Sequence, residues 1–155
     1  MTRVALDVHA HLLPVFPEKL ARFSGIGRDA AAKKLSIDGH AVSIPRLFQP
    51  AELAAWMTEQ GVAHVWISAL PPAYRMHLRG AGALDWARHL NDALDEAAAD
   101  YAGAMFRLYH LPMQDPGPPA GSSKNRGLRG TVFSLCPRTG DERKLSDAEF
   151  DGLWS

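Results

Sequence analysis

The sequence predicts an α/β fold whose strands run parallel to one another. Three short apolar segments that suit strands, at 4–11, 62–70 and 105–111, are separated by segments with the apolar periodicity of helices. A fourth strand-like segment follows at 128–135. Successive parallel strands need a crossover that returns across the sheet, so this alternation favours parallel strands with helices packed against them.

The first strand is predicted to end near His11. A short apolar run at 4–8, interrupted only by Asp7, reads as a buried strand and is followed by the residues HAHLLP at 9–14. Residues 15–50 then form a long excursion in which glycines and prolines interrupt any regular period. We expect this excursion to contribute no core element and to surround a site.

The next elements have clear start and stop signals. Proline suits the first turn of a helix and glycine suits the position after its end, so a helix is predicted between Pro50 and Gly61. The nearly continuous apolar segment at 62–70 ends at Pro71 and is typical of a parallel strand buried on both faces. The strongest helix signal covers about 82–101, where apolar residues form one stripe.

The last third of the chain does not continue this alternation of strands and helices. Residues 116–127 stand where a third crossover helix is expected but carry no apolar stripe, and one hypothesis is a locally shifted reading frame. The capping-box pattern SDAE at 146–149 then predicts that another helix begins shortly before Ser155. We interpret 1–155 as a single, partial domain.

Composition excludes several classes of protein. The 17 Lys and Arg residues balance 17 Asp and Glu residues, which leaves no electrostatic footprint for nucleic acid or anionic lipid. No apolar stretch approaches the ~20 residues that cross a bilayer, and no signal-like core follows Met1, so we expect a cytoplasmic protein without a membrane span. The single cysteine, Cys136, excludes an internal disulfide and a thiolate cluster, so any metal must be held by His, Asp or Glu.

Two histidines at the end of the first strand are candidate metal ligands. His9 and His11 are two residues apart, so on a strand they project to the same face as Asp7. Two neutral imidazoles can share a zinc ion, and a strand end exposes them to solvent. A bare His-x-His pair is a weak signal, but its place at the end of a buried strand strengthens it. Asp7 is expected to orient an imidazole or to pair with a basic group, not to bind the metal.

Four segments resemble the amidohydrolase-related metal-dependent proteins of the aminocarboxymuconate semialdehyde decarboxylase type. They are LDVHAHLLP at 6–14, MTEQGV at 57–62, LNDAL at 90–94 and LPMQDP at 111–116, and the last is the most specific. The resemblance implies a (β/α)8 TIM-type barrel of about twice this length. It also implies a divalent ion, commonly zinc, held in part by His9 and His11.

The same resemblance limits what this chain contains. A (β/α)8 barrel needs about 250 residues, so 155 residues supply about its first four strands. In the family, the remaining ligands and the acid/base residues lie on strands after the fourth. The expected substrate is a small carboxylated or aromatic compound, which would be decarboxylated or hydrolysed.

Several other polar residues are candidate members of a site. The family often places a substrate-binding arginine in the excursion, where Arg46 stands; it could clamp a carboxylate, or it could be a solvated loop residue. His110, near the mouth end of the third strand, is a reserve third ligand with a structural role as the favoured alternative. His64 is expected to be a core histidine and the four tryptophans to be packing residues. Three further histidines are expected to be exposed: His40, His77 and His89.

Several interpretations remain open. The leading one is a metal-dependent decarboxylase or hydrolase represented by the first half of its barrel. One rival keeps the metal but hydrolyses phosphodiesters or amides, and the LPMQDP segment disfavours it. Another is an inactive fragment or a binding module derived from the family. Two copies could also close a barrel as a homodimer, which would cover the exposed sheet edges.

Overall fold

The computed structural model describes residues 4–13, 22–29, 31–32, 34–112 and 131–132. The predictions for 116–127, for Cys136 and for the helix starting at 146 lie outside these residues. Among the helices described, none combines the length and apolarity needed to cross a bilayer. In chain order the elements are β1 (Asp7–His11), β2 (Ile26–Asp29), β3 (Lys34–Ile37), β4 (His40–Val42), α1 (Pro50–Gln60), β5 (Val65–Ser68), α2 (Gly80–Ala99), β6 (Met105–Arg107), β7 (Tyr109–His110) and β8 (Thr131–Val132).

A parallel sheet forms the centre of the described fold. Strands β1, β5 and β6 lie side by side in that order, with Val65 of β5 opposite Asp7 on one side and Met105 on the other. Strand β7 follows β6 after Leu108, whose N–H donates to the Ile67 carbonyl at 2.9 Å, and β7 pairs in parallel with β8. The predicted mixed α/β fold with a parallel sheet is confirmed.

Both helices begin and end close to where the sequence predicts. Pro50 occupies the first turn of α1, and Gly61 ends it in the left-handed region at φ 69°. Helix α2 buries a stripe of side chains that includes Trp86, Leu90 and Leu94. Each large aliphatic side chain buried in this way contributes roughly 1.5–3 kcal/mol. The cluster between the sheet and the helices contains Leu53, Met57, Val65, Ile67, Leu94, Ala97 and Met105.

The opposite face of the sheet is exposed and apolar. Trp66 of β5 and Phe106 of β6 are accessible there, at 38% and 43%, and Val8 of β1 is 59% exposed. Trp66 and Phe106 are direct partners in the β5–β6 register. The prediction that the strand at 62–70 is buried on both faces, and that of Trp66 as a packing residue, are therefore wrong, because the described helices cover one face only. We call Trp66 and Phe106 the open face.

The excursion contains an antiparallel meander, β2-β3-β4, that the sequence analysis did not predict. Asp38 and Gly39 connect β3 to β4 with φ values of 48° and 84°, both in the left-handed region that tight hairpin turns require. Leu35, Ile37 and Val42 are buried in a cluster that also includes Phe48 and Trp86. The expectation that 15–50 contributes no core element is wrong, because alternate residues of β3 face the core.

Two histidines differ from expectation, whereas His40 and His77 are exposed as predicted. His89 is only 4% exposed, because it lies on the buried side of α2, three residues after Trp86. His64 is exposed instead of buried, and its Nδ1 lies 2.7 Å from the Gly103 carbonyl oxygen. It precedes β5, so it lies outside the part of the strand that packs against the helices.

Candidate functional site

The carboxyl end of the parallel sheet brings β1 and β5 together at one pair of polar residues. His11 and Ser68 are partners in register at the ends of their strands. The His11 Nδ1 lies 3.1 Å from the Ser68 Oγ. In open α/β sheets, ligands bind outside the carboxyl ends of the strands, so this is the edge at which a site is expected.

His9 and His11 lie next to each other at this edge. Their ring centroids are 4.9 Å apart and the rings meet edge to face, with an interplanar angle of 81°. His9 is exposed and His11 is partly buried. The β1–β5 register shifts between Asp7 and Ala10, so the simple alternation assumed from the sequence does not describe this strand. The two imidazoles nevertheless form one accessible pair.

The spacing of the two rings is that expected for imidazoles that share a metal ion. Two imidazoles on one tetrahedral zinc place their ring centres about 5 Å apart, because each nitrogen lies about 2.0–2.1 Å from the ion. The separation of 4.9 Å agrees with that value. Burial, followed by the nearby His9, lowers the pKa of His11, whereas hydrogen bonds to the backbone of Ala69 and Ser68 oppose this shift. A lower pKa favours the neutral imidazole, which is the form that binds metal.

The rest of a ligand set is not found within the described ranges. In them, no group of three or more His, Cys, Asp or Glu side chains is placed to hold an ion. Asp7 acts differently from both of its predicted roles: its Oδ1 accepts the backbone N–H of His9 at 2.9 Å. His9 and His11 are therefore two fitting donors of a set that these residues do not complete.

Ser68 is a site residue that the sequence analysis missed. It is 7% exposed, and its hydroxyl lies between the His11 ring and the Ala10 carbonyl. The sequence feature that could have revealed Ser68 is a hydroxyl residue near the end of an otherwise apolar strand. Its importance depends on the register with β1, which no local pattern reveals.

Arg46 lies in a short 3-10 helix, Pro45–Leu47, inside the excursion. The side chain is exposed, and its guanidinium lies 5.8 Å from the centre of the Trp56 ring. The contact that the structure shows for this arginine is thus with α1 and not with His9 or His11.

His110 is buried at the end of β7, with 3% exposure. Its ring stacks parallel to Tyr74 at 5.2 Å, and the Asn91 side chain bonds its backbone N–H and carbonyl at 2.8 and 3.0 Å. Neither ring nitrogen has a hydrogen-bond partner among the residues described. Burial lowers the pKa of His110 to about 4. It forms no three-residue metal group with His9 and His11 there, so the reserve role as a third ligand gains no support.

Comparison with known proteins gives a likeness of fold. No family model matches the chain, and no curated protein matches it significantly in sequence. Among the solved structures, 19 chains match. One is 2,6-dihydroxybenzoate decarboxylase from Rhizobium, with a TM-score of 0.58 and 21% identity over 98% of this chain. This chain spans 45% of the length of that neighbour.

Proposed function

We propose that this chain is the first half of a metal-dependent barrel enzyme of the amidohydrolase-related type. The observation that carries the proposal is the pair of imidazoles, 4.9 Å apart, at the carboxyl end of a parallel strand. Its substrate is a small carboxylated or aromatic compound. The fold likeness to 2,6-dihydroxybenzoate decarboxylase favours decarboxylation of an aromatic acid over hydrolysis.

In this proposal each described residue has a limited and definable task. His9 and His11 hold a divalent ion, with zinc as the first choice because imidazole nitrogens suit it. When bound, the ion polarises a substrate oxygen or lowers the pKa of a bound water. His11 is the partly buried donor, and His9 is the donor open to solvent. Arg46 remains the candidate for pairing with a substrate carboxylate.

A second candidate is a protein in which the histidine pair is inherited but idle. The observation that favours it is the absence, among residues 4–13, 22–29, 31–32, 34–112 and 131–132, of a third side chain placed for the ion. Two imidazoles alone bind zinc more weakly than the four-coordinate sites of proteins. The two candidates differ in whether the purified chain contains metal.

Metal content separates these candidates. Protein purified without chelators is expected to contain about one zinc per chain, and the double variant His9→Ala/His11→Ala less than about a tenth of that. The matched control is His40→Ala/His77→Ala, which removes two exposed histidines elsewhere and should keep the metal. Mass spectrometry of the digested protein measures zinc, and circular dichroism checks the fold. Metal-free wild type, or equal zinc in both double variants, would overturn the proposed metal site.

We further propose that a second copy of this chain covers the open face. Apolar side chains of two neighbouring strands are accessible there, at 38% and 43%. A two-fold dimer could close one sheet against the other and pair the edge strands.

Sedimentation equilibrium tests this association. The wild type is expected to be a dimer at micromolar concentration, and Trp66→Glu is expected to shift it to monomer, because the charge would be buried between the sheets. Ile44→Glu is the control, since Ile44 is similarly exposed, at 44%, but lies in the excursion and not on the parallel sheet. A wild type that remains monomeric at all concentrations contradicts the dimer, as does equal association of the two variants.

A further inference from the structure

We propose that Ser68 is a positioning residue that holds the His11 imidazole as its Nδ1–H tautomer and leaves Nε2 free to bind the ion. This inference rests on the proposed metal site, and it assigns to β5 a task that the histidine pair on β1 cannot perform alone. The ring of a metal-binding histidine is commonly fixed by a hydrogen bond from its other nitrogen.

The sheet register places the two groups together. His11 and Ser68 are cross-strand partners, and Nδ1 lies 3.1 Å from Oγ. Ser68 is only 7% exposed, so solvent has little access to its hydroxyl. The nitrogen next to the Ser68 hydroxyl is Nδ1 and not Nε2. The pairing of two adjacent strands therefore fixes which side of the ring is held by protein.

The direction of the hydrogen bond follows from the second partner of the hydroxyl. The Ser68 Oγ lies 3.5 Å from the Ala10 carbonyl oxygen, which can only accept. A hydroxyl that donates its single proton to Ala10 presents its lone pairs to His11. The Nδ1 nitrogen must then be the donor, and the proton of the neutral imidazole resides there.

The two histidines differ in how they are held. Ser68 contacts the His11 ring from the adjacent strand. His9 lacks such an arrangement in the described contacts: its own hydrogen bond to Asp7 is made by the backbone N–H. His11 is thus the anchored ligand of the pair and His9 the adjustable one.

The tautomer of His11 can be determined in metal-free protein. In metal-free protein, the nitrogen-15 chemical shifts of His11 are expected to show a protonated Nδ1 and an unprotonated Nε2. Ser68→Ala should move the proton partly or wholly to Nε2, whereas Ser68→Thr, which keeps the hydroxyl, should restore the wild-type pattern. Thr58→Ala is the matched control, because it removes an exposed hydroxyl that bonds only its own helix, at the Ala54 carbonyl.

A second measurement connects the tautomer to binding. Chelator competition is expected to show that Ser68→Ala binds zinc roughly 10–100-fold more weakly than wild type, with Ser68→Thr between them. An Nε2–H tautomer in wild type, or a tautomer unchanged in Ser68→Ala, would overturn the role of Ser68. Zinc-free wild type would instead overturn the proposed metal site, while the spectra of the metal-free protein would still decide what Ser68 does.

Discussion

Replacement of Asp38 by alanine is expected to lower the free energy of unfolding by roughly 3–5 kcal/mol, because it leaves a buried guanidinium without its carboxylate. Arg75 donates to both carboxylate oxygens of Asp38 at 2.9 Å, from Nε and Nη2. The Arg75 side chain is 4% exposed and that of Asp38 is 26% exposed. After the substitution Arg75 would keep the Ser24 carbonyl at 2.6 Å and the face of Trp86 at 5.0 Å, neither of which is an anion.

Urea unfolding followed by tryptophan fluorescence measures this effect. Asp38 has φ 48°, so Asp38→Asn is the better probe of charge alone, since asparagine tolerates that backbone conformation. The surface comparison is Asp85→Ala, whose partner Arg22 lies at 3.4 Å and is 57% exposed, and there a loss below about 1 kcal/mol is expected. Equal losses in Asp38→Ala and Asp85→Ala would show that the Arg75 pair is no more important than a surface pair.

The same ion pair predicts a dependence on acid. Hydrogen bonding from Arg75 is the main cause that lowers the pKa of Asp38 below its ordinary value of 3.8. A carboxylate with a lowered pKa stabilises the folded state fully above that ordinary value. Its contribution is lost as the pH falls through the lower pKa of the folded protein. Asp38→Asn should therefore lose its difference from wild type only in that acid range.

This ion pair also connects the meander to the site. Asp38 lies in the turn between β3 and β4, and Arg75 follows the short helix Pro71–Tyr74 that comes after β5. Arg75 itself has a φ of 44°, which holds its backbone in the left-handed region. The meander is thus joined to the connection that leaves the carboxyl end of β5, where Ser68 contacts His11. Loosening of the meander is therefore expected to disturb the contact between Ser68 and His11 through this connection.

The sequence predicts those elements of the fold whose signals lie within one short segment. The parallel strands and both helices were predictable, because apolar periodicity and the Pro50 and Gly61 boundary signals are read within one segment. The meander was missed although Asp38-Gly39 lies between alternating apolar residues, which is a hairpin signal. The many glycines and prolines of the excursion instead indicate a loop throughout.

Only those residues of the candidate site that are close in sequence could be predicted. His9 and His11 are two residues apart in sequence, and the structure places their ring centroids 4.9 Å apart. Ser68 is 57 residues away from His11, and only the pairing of β1 with β5 brings it there. The burial of His89 and the exposure of Trp66 likewise depend on which faces the described helices cover. These features depend on tertiary packing, which local sequence patterns do not reveal.

His110 is expected to make the protein less stable in mild acid. Burial lowers its pKa from 6.5 to about 4 in the folded state. Between these values the unfolded chain binds more protons than the folded one, so stability falls as the pH is lowered through this window. The full difference corresponds to about 3 kcal/mol, since one pKa unit is worth about 1.4 kcal/mol. Within the described residues neither ring nitrogen has a partner that would offset this loss.

His110→Phe should remove most of this acid sensitivity. Phenylalanine keeps a ring to stack on Tyr74 but has no titrating nitrogen. It also removes two buried polar atoms that have no partner among the residues described, so stability at pH 7 should be equal to or higher than that of wild type. Urea unfolding at pH 7 and at a pH between 4 and 5 measures both expectations, and His64→Ala provides as control an exposed histidine that does not contact Asp38. His11 keeps its own lowered pKa in the variant, so the difference between the two profiles belongs to His110. Parallel profiles for wild type and His110→Phe would mean that this imidazole is solvated or partnered in solution.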